Sequence, residues 1–181
     1  MRRVALLALL AALAVPGLAR AQGPDLAALA LTQADVPDGL RPDPAQTGPR
    51  TQEGIRGYQA TFEGDPVAVA TAGSGIVSVV NILTLPPDPV AGLDEFVQGT
   101  KLGVPGSVTD LAPPPVGDEG RAFSGTLGLG PFNVGLAGTA FRRNSVVAGV
   151  VVLSAGGQPQ SDVALRLAQV VDGRVQAAGG P

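Results

Sequence analysis

Residues 117–154 constrain the fold more than any other stretch of the chain. They contain three apolar segments, 121–129, 132–142 and 145–154, dense in β-branched and aromatic residues and separated by the short turn sequences Gly130-Pro131 and Arg143-Asn144. Such residues suit a pleated, half-buried surface, and connections this short join antiparallel neighbours, so the stretch predicts a three-stranded meander. A polar corner of Asp118, Glu119 and Arg121 leads into it. Everything else must pack on that meander or extend it.

Taken in order, residues 26–31 read as a short amphipathic helix, followed by a single turn in which Thr32 and Asp35 have capping-box spacing and Pro37-Asp38-Gly39 is the stop. This is a lid or edge element. Residues 41–53 are polar and proline-containing without periodicity, the pattern of an exposed connection. Residues 55–63 alternate, with Tyr58, Ala60 and Phe62 on one face and Gln59, Thr61 and Glu63 on the other, as a half-buried strand does. Two more strands follow at 67–72 and 76–85, parted by Gly73-Ser74-Gly75, the second apolar enough to be central although it contains Asn81.

After the proline-rich stop at 86–89, residues 90–102 place Val90, Leu93, Phe96, Val97 and Lys101 at helical spacing. Asp94 and Glu95 near the start and Lys101 at the end suit the helix dipole. Residues 103–116 read as loop, within which 107–111 can form a short edge strand; the three prolines at 113–115 bar a central one. Residues 161–175 put Ala164, Leu167, Ala168, Val171 and Val175 on one face, with Ser161 as N-cap, which predicts a helix lying across the sheet. The summed order is α+β: an antiparallel sheet of about six strands with helices packed on its faces.

The first 21 residues carry the marks of an export signal. Arg2 and Arg3 precede an apolar run from Val4 to Val15, then come Pro16-Gly17 and the small-residue site Ala19-Arg20-Ala21. The run falls short of the roughly 20 apolar residues a bilayer span needs, so the expected product is soluble and exported, periplasmic or extracellular. The domain reading is 1–21 signal peptide, 22–53 helix, turn and connection, 54–177 a single domain completed by 25–40, and 178–181 a tail. The formal net charge is −3 and grows more negative without Arg2, Arg3 and Arg20, which opposes phosphate backbones and acidic lipid surfaces. With only six aromatic residues there is also no stacking platform for single strands, so nucleic acid is not an expected partner.

The chain contains no His and no Cys. That removes the usual general base, the thiolate nucleophile, disulfides and the commonest zinc ligands, and neither catalytic residues, a cofactor nor a metal is expected. Ser74, in Ala-Gly-Ser-Gly, echoes a nucleophile elbow but has its first glycine misplaced and no base partner. Asp118, Glu119 and Arg121 form the sharpest charged cluster: either an acidic corner for Ca²⁺ or a basic partner, or a turn whose carboxylates accept backbone N–H bonds and pair with Arg121. Asp35, Asp38 and Asp43 lack the ligand order of a calcium loop. Arg142 and Arg143 are either an anion-binding pair or charges that keep a hairpin tip in water. Glycines at 125, 128, 135, 138 and 149 leave these strands little bulk, so either a helix packs close or a groove remains, lined by Phe132, Leu136 and Phe141, for an apolar ligand or extended peptide.

The Leu-Thr-x-x-Asp-x-Pro-x-Gly-Leu turn at 31–40, the Val116-Gly117-Asp118-Glu119 corner, Phe141-Arg142-Arg143-Asn144 before a valine-rich strand, and a terminal helix with Leu167-Ala168 and Arg174 resemble uncharacterised exported bacterial domains. These include envelope lipoproteins and extracellular sensors of kinases, some similar to the PsbP/Mog1 α/β/α sandwich. This chain lacks the lipid-anchoring cysteine and the disulfide cysteines of some of them. The resemblance implies a non-enzymatic binding or interaction domain of the cell envelope, contacting a protein partner or a small apolar ligand. A carboxylate-dependent hydrolase and a purely structural envelope protein are the alternatives.

Overall fold

The computed structural model describes residues 23–65, 75–103, 106–129 and 132–179. The leader at 1–21, the strand expected at 67–72, Ser74 and the Gly130-Pro131 turn lie outside them, as does the side chain of Phe132.

Within the described residues the chain forms one open antiparallel sheet of eight strands with three helices packed against it. The strands are β1 (Leu40–Pro42), β2 (Gly48–Gln52), β3 (Ile55–Gly64), β4 (Ile76–Leu85), β5 (Gly106–Leu111), β6 (Glu119–Leu129), β7 (Phe132–Arg143) and β8 (Val146–Ala155). The helices are α1 (Leu26–Leu29), α2 (Pro89–Leu102) and α3 (Ser161–Gly179). The sheet order is β1-β3-β4-β8-β7-β6-β5, with β2 beside β1 along the same edge of β3. The meander β6-β7-β8 forms as expected, and β4 is central, between β3 and β8.

Two elements correct the sequence reading of 41–53. Rather than a connection, this region contributes β1 and β2, the latter joined to β3 by a two-residue turn at Glu53-Gly54, both with positive φ. The sequence does not announce β2, because it is an edge strand with almost nothing buried: Gly-Pro-Arg-Thr-Gln has no apolar alternation. The β7–β8 turn also moves one residue on, to Asn144-Ser145, with Arg143 opposite Val146 and Asn144 in the left-handed region that Asn tolerates.

The sheet separates two apolar clusters. On one face, α3 lays down Ala164, Leu167, Ala168, Val171 and Val175, the face its periodicity predicts, and packs over β7 and β8. Its first helical residue is Ser161, and it runs to Gly179, so 178 and 179 are helical rather than tail. The N-terminal segment completes this layer by burying Leu26, Leu29, Ala30, Leu31, Val36 and Leu40 against Phe62, Val79 and Leu83, which makes it core rather than a lid. At about 1.5–3 kcal/mol per fully buried Leu or Val, these contacts outweigh any surface ion pair.

On the other face α2 packs on β7 and β8, with Leu93 and Val97 buried against Phe123, Leu127, Leu136, Ala140 and Val147. Asp88, not Asp94 or Glu95, stands at its N-terminus, accepting hydrogen bonds from the Val90 and Ala91 N–H groups. Val90, expected on the apolar stripe, is 50% exposed. Lys101, in the last turn, pairs with Asp110 of β5 at 2.5 Å.

Candidate functional site

The space over the meander glycines is occupied, except at Gly128, where nothing lies within 4 Å of the Cβ position. A Cβ on Gly138 would fall within the ring of Phe123, one on Gly149 within the ring of Phe96, and one on Gly135 against the Gln158 backbone. At these positions the bulk missing from the strands is thus supplied by the Phe123 and Phe96 rings and the Gln158 backbone, which is close packing, not a vacancy. Leu136 and Phe141 are both fully buried and belong to opposite faces, Leu136 under α2 and Phe141 under α3. Strand parity forbids them a common wall, since residues an odd number apart point to opposite sides. The groove expected from Phe132, Leu136 and Phe141 is therefore not formed by the last two together.

The charged corner is brought together, but divided by the same parity. Glu119 lies opposite Arg142 across the β6–β7 pair, and its carboxylate accepts from Arg142 Nε at 3.0 Å and sits 2.6 Å from Arg121 Nη2. Asp94 of α2 approaches Arg121 at 3.5 Å. The hydrogen bonds from Arg142 and then Arg121 hold the Glu119 carboxyl below its ordinary value. Arg143 points to the α3 side, where it makes a two-pronged pair with Asp172 through Nε to Oδ1 and Nη2 to Oδ2, the latter at 2.8 Å.

Asp118 accepts the Asn144 N–H at 2.8 Å, holding the β7–β8 turn, and its own N–H donates to the Arg142 carbonyl at 2.8 Å. Gly117, at φ 69°, donates its N–H to Asp172 at 3.0 Å; a Cβ there would meet the Arg142 carbonyl oxygen at 2.5 Å. Burial raises the Asp172 carboxyl, but the Arg143 hydrogen bonds, the Gly117 N–H and the Arg143 charge together bring it below its usual value. These carboxylates and guanidinia serve one another: Arg142 and Arg143, whose main partners Glu119 and Asp172 lie on opposite sides of the sheet, both also approach the Asp118 carboxylate, at 4.0 and 3.5 Å. Among the described residues no three acidic side chains are grouped so as to hold a metal ion.

The open space is elsewhere. Because α2 sits over β7 and β8, it leaves bare the β3–β4 half of the face it covers, and a groove of about 680 Å³ lies there. Its floor is Gly57 and Gln59 of β3 with Ile82 and Thr84 of β4. One wall is β2 with Arg50, opposite Gly57 in register and so on the same face; the other is α2 with Gly92, Glu95, Phe96 and Gly99. Phe96 serves both roles, seated on Gly149 at the core boundary and lining the groove.

Two glycines one turn to either side of Glu95-Phe96 keep that helix face low. Gly92 lets the helix settle on Pro86, whose Cγ a Cβ would meet at 2.6 Å, and nothing lies within 4 Å of the Cβ position of Gly99. None of these residues was singled out as a site in the sequence. The signal that could have found them is Gly92-x-x-Glu95-Phe96-x-x-Gly99, a small-residue stripe beside the apolar stripe of an amphipathic helix.

No protein-family model matches the chain, and no curated protein matches it. Among solved structures it is similar to LpqN, involved in cell envelope biogenesis of Mycobacterium tuberculosis, at 12% identity over 76% of this chain and 78% of that one, with a TM-score of 0.33. No helix among the described residues is long and apolar enough to cross a membrane.

Proposed function

We propose that the protein is an exported, non-enzymatic binding domain of the cell envelope, of the PsbP/Mog1-like kind its short motifs resemble, and that it holds a small ligand with an apolar body in the groove between β2 and α2. The single observation behind this is the groove itself: half-buried Ile82 and Phe96 beside a few polar groups, in a volume inside the range of about 300–1,000 Å³ usual for small-molecule sites. The absence of His and Cys from the sequence, and the engagement of Glu119 and Asp172 with arginines, support a role without catalysis.

Native mass spectrometry of protein purified from its own host should show a bound molecule. Leucine at Gly99 fills open space on an exposed helix position, improves helix propensity, and should abolish that co-purification without lowering stability. An empty wild-type protein, together with no response of Ile82 and Thr84 resonances to a host extract, would sink the reading.

A further inference from the structure

We propose that the groove takes a short free peptide, its carboxylate towards Arg50, its ammonium towards Glu95, and its apolar side chains on Ile82 and Phe96. This rests on the binding reading above and names the ligand of the same groove. Arg50 and Glu95 rise from opposite walls, carry opposite charge, and are exposed. They do not pair with each other, and Glu95 has no hydrogen-bond or ion-pair partner among the described residues. Arg50 Nη2 donates to the Gln46 carbonyl at 2.9 Å, which fixes the side chain and leaves the rest of its guanidinium fork open. Arg121, Arg142, Arg143 and Arg174, by contrast, are engaged with carboxylates, whereas across the groove Arg50 and Glu95 stand apart.

The floor between them suits amides more than a bare hydrocarbon. Gln59 Nε2 donates to Thr61 Oγ1 at 3.0 Å, and its Oε1 is left to accept a peptide N–H. The Thr84 hydroxyl has no partner among the described residues and can give or take a hydrogen bond, while Gly57 keeps the floor low so that a main chain can lie close. A fatty acid would leave Glu95 and these groups unmatched; a peptide matches both ends and the middle.

Isothermal titration of the whole protein with a tripeptide of three leucines, its N-acetyl form, its C-terminal amide and the doubly blocked form tests this. The free peptide should bind tightest, each block should weaken it by about two- to fivefold, as expected for exposed ion pairs, and added salt should shrink those differences. Glu95→Gln should remove the penalty of acetylation only, and Arg50→Gln that of amidation only; both positions are exposed, and unchanged thermal unfolding would confirm intact folding. Glu53→Gln, at the hairpin tip on the rim, should behave as wild type, and an effect there in place of Glu95 would overturn the assignment. Equal binding of all four peptides would overturn the charge pairing while leaving an apolar site. No binding of any peptide by a protein whose Ile82 and Thr84 respond to another host molecule would overturn the peptide alone, and no response to either would remove the groove reading too.

Discussion

Gly149 and Asn81 sit on adjoining strands at the β4–β8 boundary, opposite Ile82 and Val150 respectively, and each fixes what its neighbours can be. Gly149 is the seat of the Phe96 ring, so a methyl group there forces the ring off the sheet and α2 with it. Gly149→Ala should cost about 1–3 kcal/mol in chemical denaturation, the range for overpacking, whereas Gly128→Ala, with nothing within 4 Å of its Cβ position, should be close to neutral. Asn81 is fully buried, yet its amide is spent on both sides: Oδ1 accepts the Leu31 N–H at 3.0 Å and Nδ2 donates to the Gly149 carbonyl at 3.1 Å. Asn81→Leu leaves the buried Leu31 N–H unmatched and takes one hydrogen bond from the Gly149 carbonyl, and a loss of about 1–3 kcal/mol should appear as a lowered denaturation midpoint with unchanged slope. An apolar strand containing one Asn is visible in sequence. What the Asn holds is not, because Leu31 lies 50 residues away.

Elements were legible in proportion to how much of them is buried. The five-residue face of α3 and the strands β3, β4, β6, β7 and β8 follow from periodicity, since burial writes an apolar period into the chain. β2 writes none. The capping-box spacing of Thr32 and Asp35 is legible in the sequence, but its second purpose is not local: Asp35 accepts from the Thr32 N–H and hydroxyl at 2.7 and 2.8 Å and also receives Arg174 Nη2 at 2.9 Å. Arg174 Nη1 donates to the Ala30 carbonyl at 2.6 Å, so one guanidinium ties the N-terminal segment to α3. Arg174→Gln should cost about 1.5–3 kcal/mol, the worth of hydrogen bonds to a charged group. Hydrogen exchange should localise the loss, with Leu31 and its neighbours opening first while β7 and β8 keep their protection; uniform loss across the sheet would contradict the clamp. The groove was illegible for a different reason: no element encodes it. It is the strip of sheet that α2 fails to cover, a property of where a helix lands.

For the molecule as a whole, charge reports on pH. Burial raises Asp35, but Thr32 and Arg174 bring it below its usual value, and Asp172 and Glu119 are lowered as well. A carboxyl lowered by folding adds stability that is complete above its unfolded value of about 4 and is lost as pH falls through the folded value. With no histidine in the sequence, stability should stay level between about pH 5 and 8 and drop below about pH 4. Urea midpoints across pH check this, and Asp35→Asn and Asp172→Asn should each flatten part of the acid limb; a slope near pH 6.5 would contradict it.

The sheet order carries a consequence in time. After β4 the chain crosses by α2 to the far edge and returns through β5, β6 and β7 before β8 pairs with β4, so that Asn81 finally meets Val150. The central ladder therefore pairs strands separated by an α2-β5-β6-β7 excursion, and folding dominated by such non-local pairing is slow, on the order of milliseconds to seconds for comparable sheets. A nascent chain presenting β3 and β4 must keep one strand edge unmatched until nearly all the rest has been synthesised, the interval in which such edges find the wrong partner. The assembly of this protein is governed by its last strand.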